Sequence, residues 1–425
     1  MRFYFTLFIF LIGPWASSFS YGQTTDDQIQ IPHRENKVSQ RDKPYVILIS
    51  VDGFRADYFE QYKPAFLQKM RRKGVAAEAM IPSFPSVTFP NHYTLVTGLI
   101  PPHHGLIGNT MYDPSTQEMY SLRDPKAVQN PRWYGGMPIW SLAESQGLLS
   151  ACFYWPGSEA PIGGYYPTYY YPYSETKGVV ERIQRVVDWL ELPEEKRPHL
   201  ITFYMPQVDH AGHSFGPESI ETAAAVQLVD ATMKRLVNQV SKTKLPVNFI
   251  FVSDHGMVKL DTAHPLRLPS LQEDRIEQVV NNGTYVSVFV KEKSQIAQVY
   301  RTLKAEAPST YTVYLKEEVP EKYKFSTPYD RHNRAGDIIL MAEAPYYFSK
   351  TGRIPEGSHG YLPADVPEMK TVFAAWGPQI KRHRKLEAFE NVHLYPLLAH
   401  LLGLEYDSDT IDGDTRLVEE VLRQP

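Results

Sequence analysis

Residues 45–52 read YVILISVD. A nearly unbroken apolar run, rich in β-branched side chains and this short, is the pattern of a strand buried on both faces, as in a parallel sheet covered by helices on either side. The acid that closes it, Asp52, falls at the carboxyl end of that strand, where open α/β sheets gather their ligands. Outward from this stretch the pattern recurs. Residues 64–73 read as a helix closed by Gly74, 148–155 (LLSACFYW) as a strand and 179–192 as a helix. Residues 199–205 (HLITFYM), 247–253 (VNFIFVS) and 371–377 (TVFAAWG) follow as strands, with helices over 218–240 and 391–404. Strands alternating with helices predict an α/β fold: a doubly wound, mostly parallel sheet with helices on both faces. Residues 272–350 break the rhythm with VSVFV (286–290), a helical 294–305, TYTVYLK (310–316) and DIILMAE (337–343). They read as a small α+β insertion or cap within a catalytic domain spanning 44–425.

The chain has 425 residues, 44 Lys plus Arg and 48 Asp plus Glu, a formal net charge of −4. That balance excludes a nucleic-acid binder held by bulk charge, so no stable nucleic-acid complex is expected. At 43% hydrophobic and 22% charged the composition is globular. Aromatic residues make up 13%, with 28 Tyr, more than a core needs, which points to an aromatic-lined site. The single cysteine, Cys152, excludes an internal disulfide and reads as a core residue on a strand. At the N-terminus Arg2 precedes the apolar run 3–12 (FYFTLFIFLI), then Gly13, Pro14 and small residues. This predicts a signal peptide over 1–22, too short to span a bilayer comfortably, followed by a polar, flexible lead-in over 23–43. The expected mature chain is exported, periplasmic or secreted, with no membrane span.

Three strands deliver acids or imidazoles to one rim. Asp52 ends the first, Asp209 and His213 (DHAGH, 209–213) follow 199–205, and Asp254 and His255 (SDHG, 253–256) follow 247–253. Singly, each Asp reads as a cap or turn former. Together, mixed Asp and His at one rim suit zinc-type ions. His359, held between glycines in GSHG (357–360), sits in a poor packing position and a good ligand position. Thr88, in PSFPSVTFPNHY (82–93), stands at a helix N-terminus with Pro90 in the first turn. Free N–H groups and the dipole there favour phosphate, and a neighbouring metal would make the hydroxyl a nucleophile; a plain cap is the alternative. Asn109, in GLIGNTMYDP (105–114), can donate to a phosphoryl oxygen or serve only as a turn residue.

PSVTFPNHYTLVTG, GNTMYDP, FYWPGS, VDHAGHSFGP, SDHGM and GSHGY, in this order and spacing, resemble the nucleotide pyrophosphatase/phosphodiesterase family of the alkaline phosphatase superfamily. The similarity covers about 45–404 and suggests a secreted bacterial member. It implies a two-zinc phosphodiesterase in which Asp209, His213 and His359 hold one Zn²⁺ and Asp52, Asp254 and His255 the other. Thr88, bridging toward the second ion, is the implied catalytic nucleophile. The activity implied is hydrolysis of nucleotide diester and anhydride bonds to nucleoside monophosphates through a phospho-threonine intermediate. Asn109 and the Thr88 N–H would bind phosphoryl oxygens. Phe89, Trp155, Tyr173 and Tyr204 match positions of an aromatic slot for a nucleobase, where stacking tolerates any base.

Two ions supply +4 against −4 from Asp52, Asp209, Asp254 and a Thr88 alkoxide, a near-neutral site that suits a singly charged diester. Leu362 and Pro363 depart from the Asp-Asn common in relatives. A glycerophosphodiester or lysophospholipid substrate remains open, since the same rim is remodelled in lipid-cleaving relatives. A non-catalytic phosphoester-binding protein is disfavoured by the intact nucleophile, and a sulfatase by the lack of its modified Cys/Ser motif around Cys152.

Overall fold

The computed structural model describes residues 27–423 apart from residue 272. The expected signal peptide, 1–22, lies outside the described residues. A nine-stranded sheet runs through the molecule in the order Ile29–Gln30, Tyr169–Tyr171, Ser150–Phe153, Leu200–Met205, Tyr45–Val51, Val247–Val252, Phe373–Trp376, Val75–Ala77, Arg384–Leu386. Its central strands are parallel, with Ser50 opposite both Tyr204 and Val252. Alternation along Tyr45–Val51 sends side chains into two cores, because successive residues of a strand face opposite ways. Val46 and Leu48 pack with the helices Thr88–Thr97, Ile139–Ser145 and Leu394–Leu402. Ile47, Ile49 and Val51 pack with Ala65–Lys73, Val179–Leu190 and Ile220–Val240. Each such side chain, fully buried, contributes about 1.5–3 kcal/mol. Cys152 is buried within the strand Ser150–Phe153.

Phe373–Trp376 departs from the parallel pattern, pairing antiparallel with both of its neighbours. The chain enters it through the turns and the short Pro367–Met369 helix after His359, with no crossover helix of the length a parallel return needs. Of the lead-in 23–43, expected to be flexible, the described part, residues 27–43, is a correction, and residues 23–26 lie outside the described residues. Ile29–Gln30 adds an edge strand against Tyr169–Tyr171, and Asn36 is buried, its Nδ2 donating to the Glu194 and Arg197 carbonyls while its Oδ1 accepts from the Leu149 N–H. These bonds fix a stretch that carries no apolar periodicity of its own.

Within 272–350 four strands form a separate antiparallel sheet in the order Ile276–Asn281, Tyr285–Val290, Ile338–Ala342, Tyr311–Leu315, backed by the helix Ile296–Glu306. Ile276–Asn281 escapes sequence reading because it is a half-buried edge strand with a register shift between Ile276 and Gln278. Among the described residues no helix is long and apolar enough to cross a membrane.

Candidate active site

The rim at the carboxyl ends of the central strands collects the acids. Asp52 follows Tyr45–Val51, and its N–H donates to the Met205 carbonyl of the next strand. Gly53 turns the chain at φ 70°; a Cβ there would stand 3.0 Å from the Asp209 Cα, so a side chain would push the Asp52 and Asp209 segments apart. Asp209 and His213 lie one turn apart on the helix Gln207–Phe215, with Asp209 Oδ1 3.3 Å from His213 Nε2. Asp254 and His255 leave Val247–Val252 through Gly256, where a Cβ would meet the Glu368 carbonyl oxygen at 1.8 Å.

These side chains converge. His255 Nε2 lies 3.2 Å from Asp52 Oδ1, 3.0 Å from Asp254 Oδ2 and 3.2 Å from Thr88 Oγ1. His359 Nε2 lies 3.1 Å from His213 Nε2 and 3.6 Å from Asp209 Oδ1. The rings of His255 and His359 stack at 3.4 Å between centroids. Two groups have ligand atoms close enough to share an ion: Asp52, Asp254 and His255, and Asp209, His255 and His359. His255 therefore stands between the two sets, while His213 closes the outer one through its contacts with Asp209 and His359.

The donor set fits metal. Asp52 Oδ1, Asp209 Oδ1 and Asp254 Oδ2 are buried without a hydrogen-bond donor, and an uncompensated buried carboxylate is costly. Each of the three imidazoles turns Nδ1 to a backbone carbonyl: His213 to Gly357 at 2.7 Å, His255 to Gly256 at 2.9 Å and His359 to Ser86 at 3.1 Å. An Nδ1–H committed in this way leaves Nε2 as the lone-pair donor, the usual support of a ligating histidine. Burial works against charge on His255, yet Asp254 and Asp52 push its pKa up to about 10. Burial and the imidazoles of His255 and His213 hold His359 well below the ordinary range. Burial, with Asp52 beside it, raises the Asp254 carboxyl. Carboxylates crowded in this way call for cations at their centre.

Thr88 is the first residue of the helix Thr88–Thr97, whose cap, Val87, offers no side-chain hydrogen bond. Asn109 Oδ1 accepts the Phe89 N–H at 3.0 Å, which fixes the amide beside Thr88. The expected aromatic slot is only partly assembled. Phe89 is half-buried and Tyr173 is 44% exposed, so both can present ring faces. Trp155 is a correction: at 1% exposure, with Nε1–H donating to the His92 carbonyl, it packs beneath the site. Tyr204 is also buried, and its hydroxyl donates to Asp52 Oδ2 at 2.6 Å, so it holds that carboxylate in place. Sequence reasoning gave His92 no role. It is fully buried, with Nδ1 2.9 Å from the Thr88 carbonyl and 3.2 Å from Asp254 Oδ2, and Nε2 2.8 Å from Ser50 Oγ. Its one signal in the sequence is the four-residue spacing from Thr88, one helical turn.

An open α/β sheet carrying a double Asp/His cluster and a hydroxyl at a helix N-terminus defines an alkaline-phosphatase-like fold with a candidate metal-binding hydrolase site. Residues 46–362 match the family model of Type I phosphodiesterase / nucleotide pyrophosphatase, and the chain belongs to this family. It is 34% identical over 379 residues to ectonucleotide pyrophosphatase/phosphodiesterase family member 3 of Bos taurus, covering 86% of this chain and 42% of that one. It is 33% identical over 374 residues to venom phosphodiesterase of Macrovipera lebetinus, covering 85% and 43%. The chain thus spans less than half the length of these animal relatives, against 77% of an uncharacterized pyrophosphatase/phosphodiesterase of Schizosaccharomyces pombe. Murine ectonucleotide pyrophosphatase / phosphodiesterase 5, as an inactive threonine-to-alanine variant in complex with AMP, superposes with a TM-score of 0.82 at 29% identity. The match covers 89% of this chain and all of that one.

Proposed function

We propose that this protein is an exported, two-zinc phosphodiesterase that hydrolyses nucleotide phosphodiester and phosphoanhydride bonds, releasing nucleoside monophosphates. The observation that carries the reading is the convergence of three donor-free buried carboxylate oxygens with three Nε2-presenting imidazoles beside the Thr88 hydroxyl. Asp52, Asp254 and His255 would hold one ion, and Asp209, His213 and His359 the other. Bound divalent ions supply two things here: a lowered hydroxyl pKa at Thr88 and charge stabilisation on the departing oxygen.

The chain's own residues do the rest. Thr88 Oγ1 attacks phosphorus as the bond to the leaving oxygen breaks, giving a phospho-threonine that water clears in a second displacement. The Thr88 N–H at the helix end and the Asn109 Nδ2 amide are the donors for the phosphoryl oxygens, in the place where charge develops. Phe89 and Tyr173 offer ring faces on which a base can stack without regard to its identity. A complex of a relative with AMP and the relatives' names support a nucleotide substrate. Export fits the apolar run 3–12 behind Arg2.

The test is hydrolysis of a nitrophenyl nucleotide diester, a nitrophenyl monoester and nitrophenylphosphorylcholine by the zinc-loaded protein, with a chelator control. A chelator-sensitive preference for the nucleotide diester is expected, with loss of turnover but not of zinc in Thr88→Ala. A preference for phosphorylcholine moves the substrate to lipids, and an active Thr88→Ala protein removes the covalent mechanism.

A further inference from the structure

Residues 105–109, which end at Asn109, have no regular structure of their own. The Leu122 N–H donates to the Asn109 carbonyl at 2.9 Å, and the remaining anchors come from the insertion 272–350. The buried Arg334 guanidinium spends its donors on both flanks: Nε and Nη2 donate to Asp113 Oδ2 at 3.2 and 2.9 Å, and Nη1 to the Gly105 carbonyl at 2.8 Å. Nη1 also reaches the Trp133 carbonyl at 3.1 Å, and the guanidinium lies over the Trp133 ring. The turn that presents Arg334 is fixed in turn, since Asp330 accepts the Arg334 and Ala335 N–H groups and pairs with Lys316 at 2.7 Å. Between the flanks, the Tyr285 hydroxyl donates to the Ile107 carbonyl. A Cβ on Gly108 would lie 2.6 Å from that hydroxyl oxygen and 3.0 Å from Asn282 Oδ1, so the backbone beside Asn109 rests directly on the insertion. The same block reaches the segment leading into Thr88, where the Phe84 ring packs against Tyr285, Tyr323 and Phe325.

We infer that the insertion is the jig for phosphoryl binding: Arg334 and Tyr285 are positioning residues that hold the Asn109 loop against the start of the Thr88 helix. The inference rests on the reading that Asn109 meets the phosphoryl group. A donor to a developing oxyanion acts only when pre-set in place, and the buried Arg334 guanidinium, with two donors on one carboxylate oxygen, makes charge-assisted bonds stronger than neutral ones. The ring contacts of Phe84 give the nucleophile segment and the Asn109 loop one common reference surface.

The experiment is a double-mutant cycle on the full zinc-loaded chain. Tyr285→Phe and Arg334→Met are made in the wild-type and the Asn109→Ala backgrounds. Two readouts are taken: kcat and KM for a nitrophenyl nucleotide diester, and calorimetric affinity for inorganic phosphate. In the wild-type background each substitution is expected to lower kcat roughly tenfold or more, with a smaller change in KM, as an ångström of misplacement does, and to weaken phosphate. In the Asn109→Ala background the same substitutions are expected to change little, an outcome a general loss of packing would not give. Equal losses in both backgrounds overturn the inference, as does wild-type behaviour of the substituted proteins. Should Arg334→Met fail to fold, Tyr285→Phe, which removes one oxygen, carries the cycle alone. A wild-type protein that binds phosphate through Asn109 yet cleaves no diester defeats the proposed function and leaves this inference to the phosphate cycle. Phosphate binding indifferent to Asn109→Ala overturns the inference.

Discussion

Tyr204→Phe separates two roles for one aromatic ring. Tyr204 ends one place short of the carboxyl terminus of Leu200–Met205, and its hydroxyl donates to Asp52 Oδ2 at 2.6 Å while Asp52 Oδ1 faces His255 without a donor of its own. Removing the hydroxyl keeps the ring and its stacking, but strips a buried carboxylate of its only side-chain hydrogen bond. A hydrogen bond to a charged group contributes about 1.5–3 kcal/mol. If Asp52 holds zinc in the orientation that bond enforces, the loss is roughly 10- to 100-fold in zinc affinity. The assay is zinc competition against a fluorescent chelator for wild type and variant, with KM for the nucleotide diester measured at saturating zinc. Weakened zinc with KM unchanged is the expected result. Zinc affinity equal to wild type refutes the reasoning, because a wall of the slot would not govern metal.

Asp254→Asn should lower the bound zinc per chain, since the buried Asp254 Oδ2 makes no hydrogen bond and lies 3.0 Å from His255 Nε2; metal analysis of the purified variant checks it. Phe89→Ala should raise KM for the nucleotide diester with little change in melting temperature, whereas Trp155→Ala should cost about 3–5 kcal/mol of stability, as core aromatic truncations do; the reverse assignment of effects would return Trp155 to the slot. The pKa of Glu390, hydrogen-bonded to His393, is lowered from 4.5 to about 2. A depressed carboxyl stabilises the fold above its ordinary value and loses that contribution as pH falls toward the depressed one. Glu390→Gln should therefore flatten the acid limb of stability between those two values, read by thermal melts across that range.

Much of the fold is legible in the sequence where burial is two-sided. Tyr45–Val51, Leu200–Met205 and Val247–Val252 announce themselves because every position is buried, so apolar residues run on without alternation. The edge strands Ile29–Gln30 and Arg384–Leu386, and Val75–Ala77 next to the second of them, are two or three residues long, too short for any periodicity to register. The metal-binding candidates were legible for a related reason: acids and imidazoles placed directly after buried strands have little else to do. The aromatic residues were not. Tyr204 and Asp52 are separated by 152 residues, and Trp155 and His92 by 63. Whether a ring is a wall or a prop depends on which neighbours the sheet register brings, and no local pattern carries that information.

The two halves of the proposed chemistry are anchored differently, and the difference follows from the physics of strand and loop. Asp52, Asp254 and His255 hang from adjacent strands whose ladders are paired residue by residue, so their placement is inherited from the most buried part of the sheet. Thr88 and Asn109 sit on a helix start and an irregular loop, where no ladder sets position. An irregular loop must have its backbone groups satisfied from elsewhere, and within residues 105–109 the Arg334 side chain takes the Gly105 carbonyl and the Tyr285 hydroxyl the Ile107 carbonyl, beside the Leu122 N–H on the Asn109 carbonyl. Ion loading then depends on the sheet and phosphoryl placement on the insertion. Substitutions in 272–350 at these contacts should accordingly disturb turnover while leaving zinc bound.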